Sequence, residues 1–222
     1  MKIMRTAIVT LVVFLFSAPW LHAQDLSKYR SFSMGMTLAD LSKQIGANPT
    51  DVTVIHQHPA LIQELTWWPR VSGQPDQPEA IREILFSFYD GKLYKIFVTY
   101  DDAATLGMSH EDMARAISAK YGTPTTPDVR IGIPKDGYPT TEQVMDRWED
   151  SRYSVNLFRS SFSSSFGLVL FSKQVNAEAE AATHAAFLLE QQGAPQREAD
   201  RMKKEADVLE ASRVKNLKTF HP

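Results

Sequence analysis

The sequence predicts an α+β fold: one antiparallel sheet built from two helix-plus-meander repeats, helices on one face, then a C-terminal helical tail. Three observations predict it. Ile81-Arg-Glu-Ile-Leu-Phe-Ser-Phe-Tyr89 and Lys92-Leu-Tyr-Lys-Ile-Phe-Val-Thr-Tyr100 are strand-like runs joined by Asp90-Gly91, a pair suited to the positive dihedrals of a type I′ hairpin turn. Two short helical segments start with the same capping chemistry 72 positions apart. From Gln174 the composition shifts to Ala, Glu, Gln, Lys and Arg with almost no β-branched residues, which is helix-forming material.

Before the body comes a leader. Lys2 and Arg5 open the chain, residues 7–16 are apolar except for Thr10, and Ser17-Ala18-Pro19 ends the run. That layout predicts a secretory signal peptide over 1–23, with cleavage after Leu21-His22-Ala23. The run is about half of the roughly 20 residues a spanning helix needs, so no stable membrane span is expected after cleavage. No cysteine follows it, which argues against a lipid anchor. The expected location is periplasmic or secreted.

Residues 25–33 read as a polar lead-in. Thr37 and Asp40 are spaced as a capping box, Leu38, Leu41 and Ile45 form a narrow apolar stripe, and Gly46 stops this first helix. Residues 52–56 and 61–68 read as strands, and 69–79, with three prolines and a glycine, as a loop. After the hairpin, whose second arm alternates with Tyr94, Ile96, Val98 and Tyr100 on one side, a second helix is expected over 109–121. It is capped by Ser109 and Asp112 and stopped by Gly122. Residues 123–141, with four prolines, read as a long loop, and 144–149, 153–160 and 166–173 as strands. The tail over 174–222 carries seven basic and eight acidic residues interspersed, and Gly193-Ala194-Pro195 predicts a break into two helices.

At an offset of 72, the segments 35–45 and 107–117 share Gly, Met, Asp and Ile at four positions, with Thr/Ser, Leu/Met and Lys/Arg at three more. Each is followed by a Gly-containing stop, a Trp-bearing strand and a hairpin. The expectation is an internal repeat, with boundaries at 24–102 and 103–173.

The chain has 24 basic and 26 acidic residues, and cleavage at 23 would leave 22 against 26. That balance lacks the basic footprint of a nucleic-acid binder, so no nucleic acid is expected. Zero cysteines removes disulfides, thiol catalysis and thiolate metal sites. No phosphate-cradling glycine loop, dinucleotide fingerprint, His-Glu-x-x-His pair or Gly-x-Ser-x-Gly elbow occurs, so neither a cofactor nor a catalytic residue is assigned. His56 and His58 fall on one side of a strand, and Asp101 and Asp102 could complete a metal site in the fold. An exported hydrolase or metal-dependent enzyme built on these four is the competing reading.

Trp67 and Trp68 are neighbours on a strand and must face opposite sides of the sheet. An indole on an open face would be a binding anchor, since aromatic residues dominate interface hot spots. Trp67, Trp68, Tyr94 and Trp148 are therefore the candidate binding residues, and a protein partner in the cell envelope is the expected ligand.

Phe32-Ser33-Met34-Gly35-Met36-Thr37-Leu38-Ala39-Asp40-Leu41, with Gly46 and Pro49, resembles the Gly-Met-Thr, acidic, aliphatic, Gly-x-Pro signature of the small outer-membrane lipoprotein A and β-lactamase-inhibitor-protein-like superfamily. The resemblance implies exported α+β modules, sometimes in tandem, whose helices pack on an antiparallel sheet and which act by binding other proteins. Against that pattern, this chain lacks a lipobox cysteine and disulfides and carries a long helical tail. The whole also resembles exported bacterial proteins with a Phe-Tyr-Asp-Gly hairpin, a likeness that implies no activity.

Overall fold

The computed structural model describes residues 24–69, 80–135 and 138–219. The leader expected at 1–23 and residues 70–79 of the expected loop lie outside the described residues.

The lead-in is not plain coil. Lys28–Tyr29 (β1) and Phe32–Ser33 (β2) form a small hairpin that buries Tyr29 and Phe32 against the main core. Helix α1 (Leu38–Ile45) begins where Thr37 Oγ1 accepts the Asp40 N–H at 3.1 Å. It ends on Gly46, whose φ of +70° lets the cap N–H return to Ser42 O. Helix α2 (His110–Tyr121) is capped reciprocally. Asp112 N–H donates to Ser109 Oγ at 3.2 Å, and Ser109 N–H donates to Asp112 Oδ2 at 3.0 Å. Each such cap is worth about 1 kcal/mol.

Eight strands make one antiparallel sheet: β3 (Val52–His56), β4 (Ile62–Trp67), β5 (Ile81–Tyr89), β6 (Lys92–Tyr100), β7 (Arg130–Lys135), β8 (Tyr138–Glu149), β9 (Tyr153–Arg159) and β10 (Phe166–Ser172). Their spatial order is β3-β4-β5-β6-β10-β9-β8-β7. A helix and four strands thus occur twice along the chain, and the second set lies in reverse order beside the first. The β5–β6 turn has positive φ at both Asp90 and Gly91, 46° and 73°.

The first face carries the main core. Phe86, Phe88, Ile96, Leu157, Leu168 and Trp148 are buried there beneath α1 and α2, which contribute Leu41, Met113, Ile117 and Tyr121. The four middle strands are buried on their second face as well, which is why they read as nearly unbroken apolar runs.

Three expectations are corrected. The region 123–141 is not all loop: β7 and the start of β8 lie in it. Gly132 and Pro134 hide the alternation of Ile131 and Ile133, and Pro is tolerated because β7 is an edge strand. Tyr94 does not share a face with Ile96, Val98 and Tyr100. A bulge shifts the β5–β6 register between Ser87 and Phe88, so Lys95 pairs with Ser87 and Leu93 with Phe88, and Tyr94 joins the opposite face. The tail is one helix, α3 (Lys173–Thr219), running through Pro195 without a break. A proline in a helix interior costs about 3 kcal/mol through a lost hydrogen bond and a ring clash. Here the Arg197 guanidinium lies over Gly193, where a Cβ would come within 2.7 Å of Nη1, and Nη2 donates to Glu190 O at 2.7 Å. That acceptor lies one position before Gln191 O, the carbonyl that Pro195 leaves without its helical donor.

Among the described residues, the buried positions of α3 lie near its start. Ala179, Ala182 and Ala186 are buried, and Ala179 and Ala182 cluster with Ile62 and Tyr94 on the second sheet face. The helix leaves β10, crosses toward β3, and passes His56 Nδ1 at 3.9 Å from Glu190 Oε1. Residues 187–219 extend about 50 Å at 1.5 Å per residue, and nearly all of them are exposed. Among the described residues no helix is long and apolar enough to cross a membrane.

Candidate functional site: a groove on the second sheet face

The second face is partly roofed from two sides, and a groove of about 1060 Å³ lies between. One wall is the first part of α3, through Asn176, Glu180 and Thr183. The other is the β7–β8 hairpin. Residues 144–149 of β8 pair with β9, whereas 138–143 pair with β7 alone, and the register shift between Val144 and Asp146 marks where the hairpin leaves the sheet. Ile133, on the edge strand, consequently shares a buried cluster with Leu85 and Phe97 of β5 and β6.

The floor is apolar. Leu85, Phe97, Phe158 and Val169 are buried with Ile133, and Phe171 packs at the margin. Phe158 and Phe97 stack with centroids 5.5 Å apart. Gly167 stands opposite Phe158 across the β9–β10 pair, and the Phe158 ring covers the space a side chain would need.

Polar groups sit at fixed points around this floor. At the α3 end, Lys95 is half-buried beside Glu64 and Glu180, and Ser87 Oγ donates to Glu64 Oε1 at 3.3 Å. Burial lowers Lys95, the two carboxylates opposing the shift, and burial raises Glu64. Burial, with Glu64 and Glu180 adding to it, pushes the Tyr94 phenol up to about 12. Near the hairpin, Arg147 Nε donates to Asn156 Oδ1 at 2.7 Å, and Asn156 Nδ2 donates to Ser154 Oγ at 3.1 Å. Glu142, 4% exposed, accepts both the N–H and the hydroxyl of Ser161 at 2.8 Å, tying the β9–β10 turn to the hairpin.

At the far end the rim is aromatic. Trp68 and Phe162 both line the groove and are 48% and 64% exposed, and Trp68 Nε1 donates to Glu83 Oε2 at 3.2 Å. The hydroxyls of the serine-rich turn are used structurally: Ser160 Oγ accepts the N–H groups of Phe162 and Ser163, and Ser165 Oγ donates to Ser163 Oγ. Among the described residues no histidine lines the groove, and the carboxylate that meets a hydroxyl of that turn is Glu142, which accepts from Ser161 Oγ. The arrangement can hold an amphipathic ligand: apolar floor, aromatic rim, charges of both signs at the edges.

The candidate residues separate accordingly. Trp68 and Tyr94 line the groove. Trp67 faces the helix side, edge-on to Phe32 at 5.8 Å. Trp148 is core, 1% exposed, its Nε1 donating to Gly122 O at 2.8 Å at the end of α2. Neither of these two belongs to the groove. The four residues of the metal reading are not brought together. His56 pairs with Ile62, which pairs with Tyr89, at one end of β5, whereas Asp101 follows Tyr100, paired with Ile81 at the other end. Nine residues of strand separate those ends by about 26 Å at roughly 3.3 Å per residue. Asp101 Oδ1 instead accepts the N–H groups of Ala103 and Ala104, and Asp102 pairs with Arg82 at 3.3 Å. Among the described residues no three of His, Asp or Glu are grouped to hold a metal ion.

Sequence reasoning missed Glu64, Lys95, Glu142, Arg147 and Asn156. The available signal was polar residues interrupting otherwise apolar strands on one face. It also missed His110 and Asp146, on the helix side of the fold, where Nε2 and Oδ2 meet at 2.5 Å and Thr126 Oγ1 donates to Asp146 Oδ1 at 3.3 Å. That pair ties the start of α2 to the β8 bulge.

The fold is an α+β domain with α1 and α2 on one sheet face and, on the other, a groove walled by α3 and the β7–β8 hairpin. By sequence, the chain belongs to the TP0088 domain family, whose match spans residues 27–173, the sheet and its two helices but not the tail. No curated protein matches it. Among solved structures it is similar to a cysteine-rich secretory protein from Staphylococcus aureus, at 9% identity over 66% of this chain and with a TM-score of 0.33. The chain spans about half of that structure's length, 47%.

Proposed function

We propose that the protein is an exported, non-enzymatic binding module of the cell envelope, and that its groove takes a segment of a partner protein anchored on Trp68 and Phe162. The observation that carries this reading is the groove itself: an apolar floor, an exposed aromatic rim and a few positioned charges, which is the composition of a binding cleft. Export rests on the leader pattern of residues 1–23. The resemblance of residues 32–49 to modules that act by binding proteins supports the same reading, as does the reversed pairing of two helix-plus-four-strand sets, which we read as a tandem duplication.

The test is in-cell photo-crosslinking from position 162, followed by affinity capture, in the natural background and with Trp68→Ala. One polypeptide is expected to crosslink, and to be lost with Trp68→Ala while the melting temperature holds. A chain truncated after Gln192 keeps the docked part of α3 and is expected to crosslink equally. If position 162 captures no protein, or captures the same one regardless of Trp68, the groove is not a protein-binding site.

A further inference from the structure

The groove holds a cation that the chain itself leaves without an anion. Arg147 of β8 stands opposite Asn156 of β9, and the same cross-strand row continues through Val169, Phe97 and Leu85 of the apolar floor. The side chain is half-buried and lines the groove, and its Nε donates to Asn156 Oδ1 at 2.7 Å. Asn156 is fully buried, its Nδ2 donating to Ser154 Oγ at 3.1 Å and Val169 O at 3.4 Å. A buried amide, fixed from behind, thus fixes the guanidinium in turn. Among the described residues neither Nη nitrogen of Arg147 has a hydrogen bond or ion pair. The acids of its own strand are engaged elsewhere: Glu142 accepts from Ser161, Asp146 meets His110 on the helix side, and Glu149 pairs with Lys173.

We propose that Arg147 is the carboxylate-binding point of the groove, and that the partner segment held on Trp68 and Phe162 carries an acidic side chain that takes its two Nη nitrogens. This rests on the reading of the groove as the seat of a partner segment. A guanidinium over an apolar floor is costly while unpaired, and its planar fork matches a carboxylate with two parallel hydrogen bonds. Charge also sets which way the segment lies. At the α3 wall Glu64 and Glu180 outnumber Lys95, whereas Arg147 stands at the hairpin wall, so the acidic end belongs at the hairpin. From Leu85 to Arg147 the row crosses four strand spacings, about 19 Å at roughly 4.8 Å each, which an extended chain covers in about six residues.

The test begins with a small carboxylate, so that it does not wait on a named partner. Protein carrying isotope-labelled arginines is titrated with phenylpropanoate to about 100 mM at fixed ionic strength, a range in which one charge-assisted contact saturates. The uncharged phenylpropanamide is titrated alongside. The Arg147 Nε–H resonance, identified by its loss in Arg147→Gln, is expected to shift saturably with the acid, at a concentration at least ten-fold below any effect of the amide. In photo-crosslinking from position 162, Arg147→Gln should cut capture at least ten-fold. Its Nε2 stands where the arginine Nε stood and can keep the bond to Asn156, so the fold holds while the fork is gone. Arg147→Lys keeps the charge without the fork and should restore only part of the capture. No saturable shift, or equal shifts with acid and amide, overturns the site whatever the variants do to the fold. Capture that Trp68→Ala abolishes and Arg147→Gln leaves intact keeps the groove reading and overturns the acidic segment. Capture of no protein overturns the groove reading, and the acidic segment with it.

Discussion

Replacing Gly167 with alanine would drive a methyl group into the ring that forms the middle of the groove floor. A Cβ at that position lies 2.1 Å from Phe158 Cζ and 2.5 and 2.8 Å from the two neighbouring ring carbons. Carbon atoms sit comfortably at about 3.5–4.0 Å, so the ring must retreat by about 1.5 Å. The ring is 2% exposed and packed against Phe97, Leu85, Ile133 and Val169, so retreating toward the groove it floors breaks those contacts. Overpacking of this kind costs about 1–3 kcal/mol, and the gain from removing a strand glycine offsets about 0.5–1 of it. A net loss of about 1–2 kcal/mol lowers the melting temperature of a domain this size by about 2–8 °C. Thermal melts followed by circular dichroism measure it, and a double-mutant cycle with Phe158→Leu isolates the contact. In the Phe158→Leu background Gly167→Ala should be neutral or stabilising. A melting temperature unchanged by Gly167→Ala, or an equal drop in both backgrounds, would refute the argument.

The two tryptophans should separate stability from binding: Trp67→Ala is expected to cost about 2–4 kcal/mol in urea titration, and Trp68→Ala less than about 1 kcal/mol. A larger loss at Trp68 would mean the rim indole is structural. Lys95→Met removes the cation that restrains Glu64. Burial already raises Glu64, so the folded state holds its proton more tightly than the unfolded chain, and stability falls as pH rises through the interval between the unfolded and folded values. The variant should move the Glu64 titration, followed by carboxyl NMR, and the upper end of that fall to higher pH. A Glu64 titration that stays or moves down contradicts this. Asp146→Ala strips His110 and Thr126 of their acceptor and should cost about 1–3 kcal/mol, read by denaturant unfolding, against a negligible change if the pair is ornamental.

What was legible in the sequence follows the range of the forces involved. The Asp90-Gly91 turn, both N-caps and the glycine stops are local chemistry, and they sit where the residues put them. So do β3, β5 and β6, whose patterns are complete within their own runs. The strand β7 was hidden because its proline and glycine mimic a loop, and only its edge position makes them tolerable. The bulge that turns Tyr94 has no composition of its own, since it depends on which residue of β5 each residue of β6 meets. Alternation alone put Trp67 and Trp68 on opposite faces, but which face stays open was decided by α3 crossing one side and the β7–β8 hairpin curling onto it. The groove is a product of those two long-range packings, and its polar residues come from five separate strands and a helix.

The sheet order also sets a timetable. The two middle strands are β6 and β10, and β10 is the last strand in the chain. A ribosome, adding roughly 5–20 residues per second, delivers β10 about 3–13 s after β6. Until then the nine-residue edge of β6 has no neighbour on that side, and an uncovered apolar edge strand is a template for joining other chains. Whether the chain folds as it is made or after release, the sheet closes at its centre with the last strand to arrive.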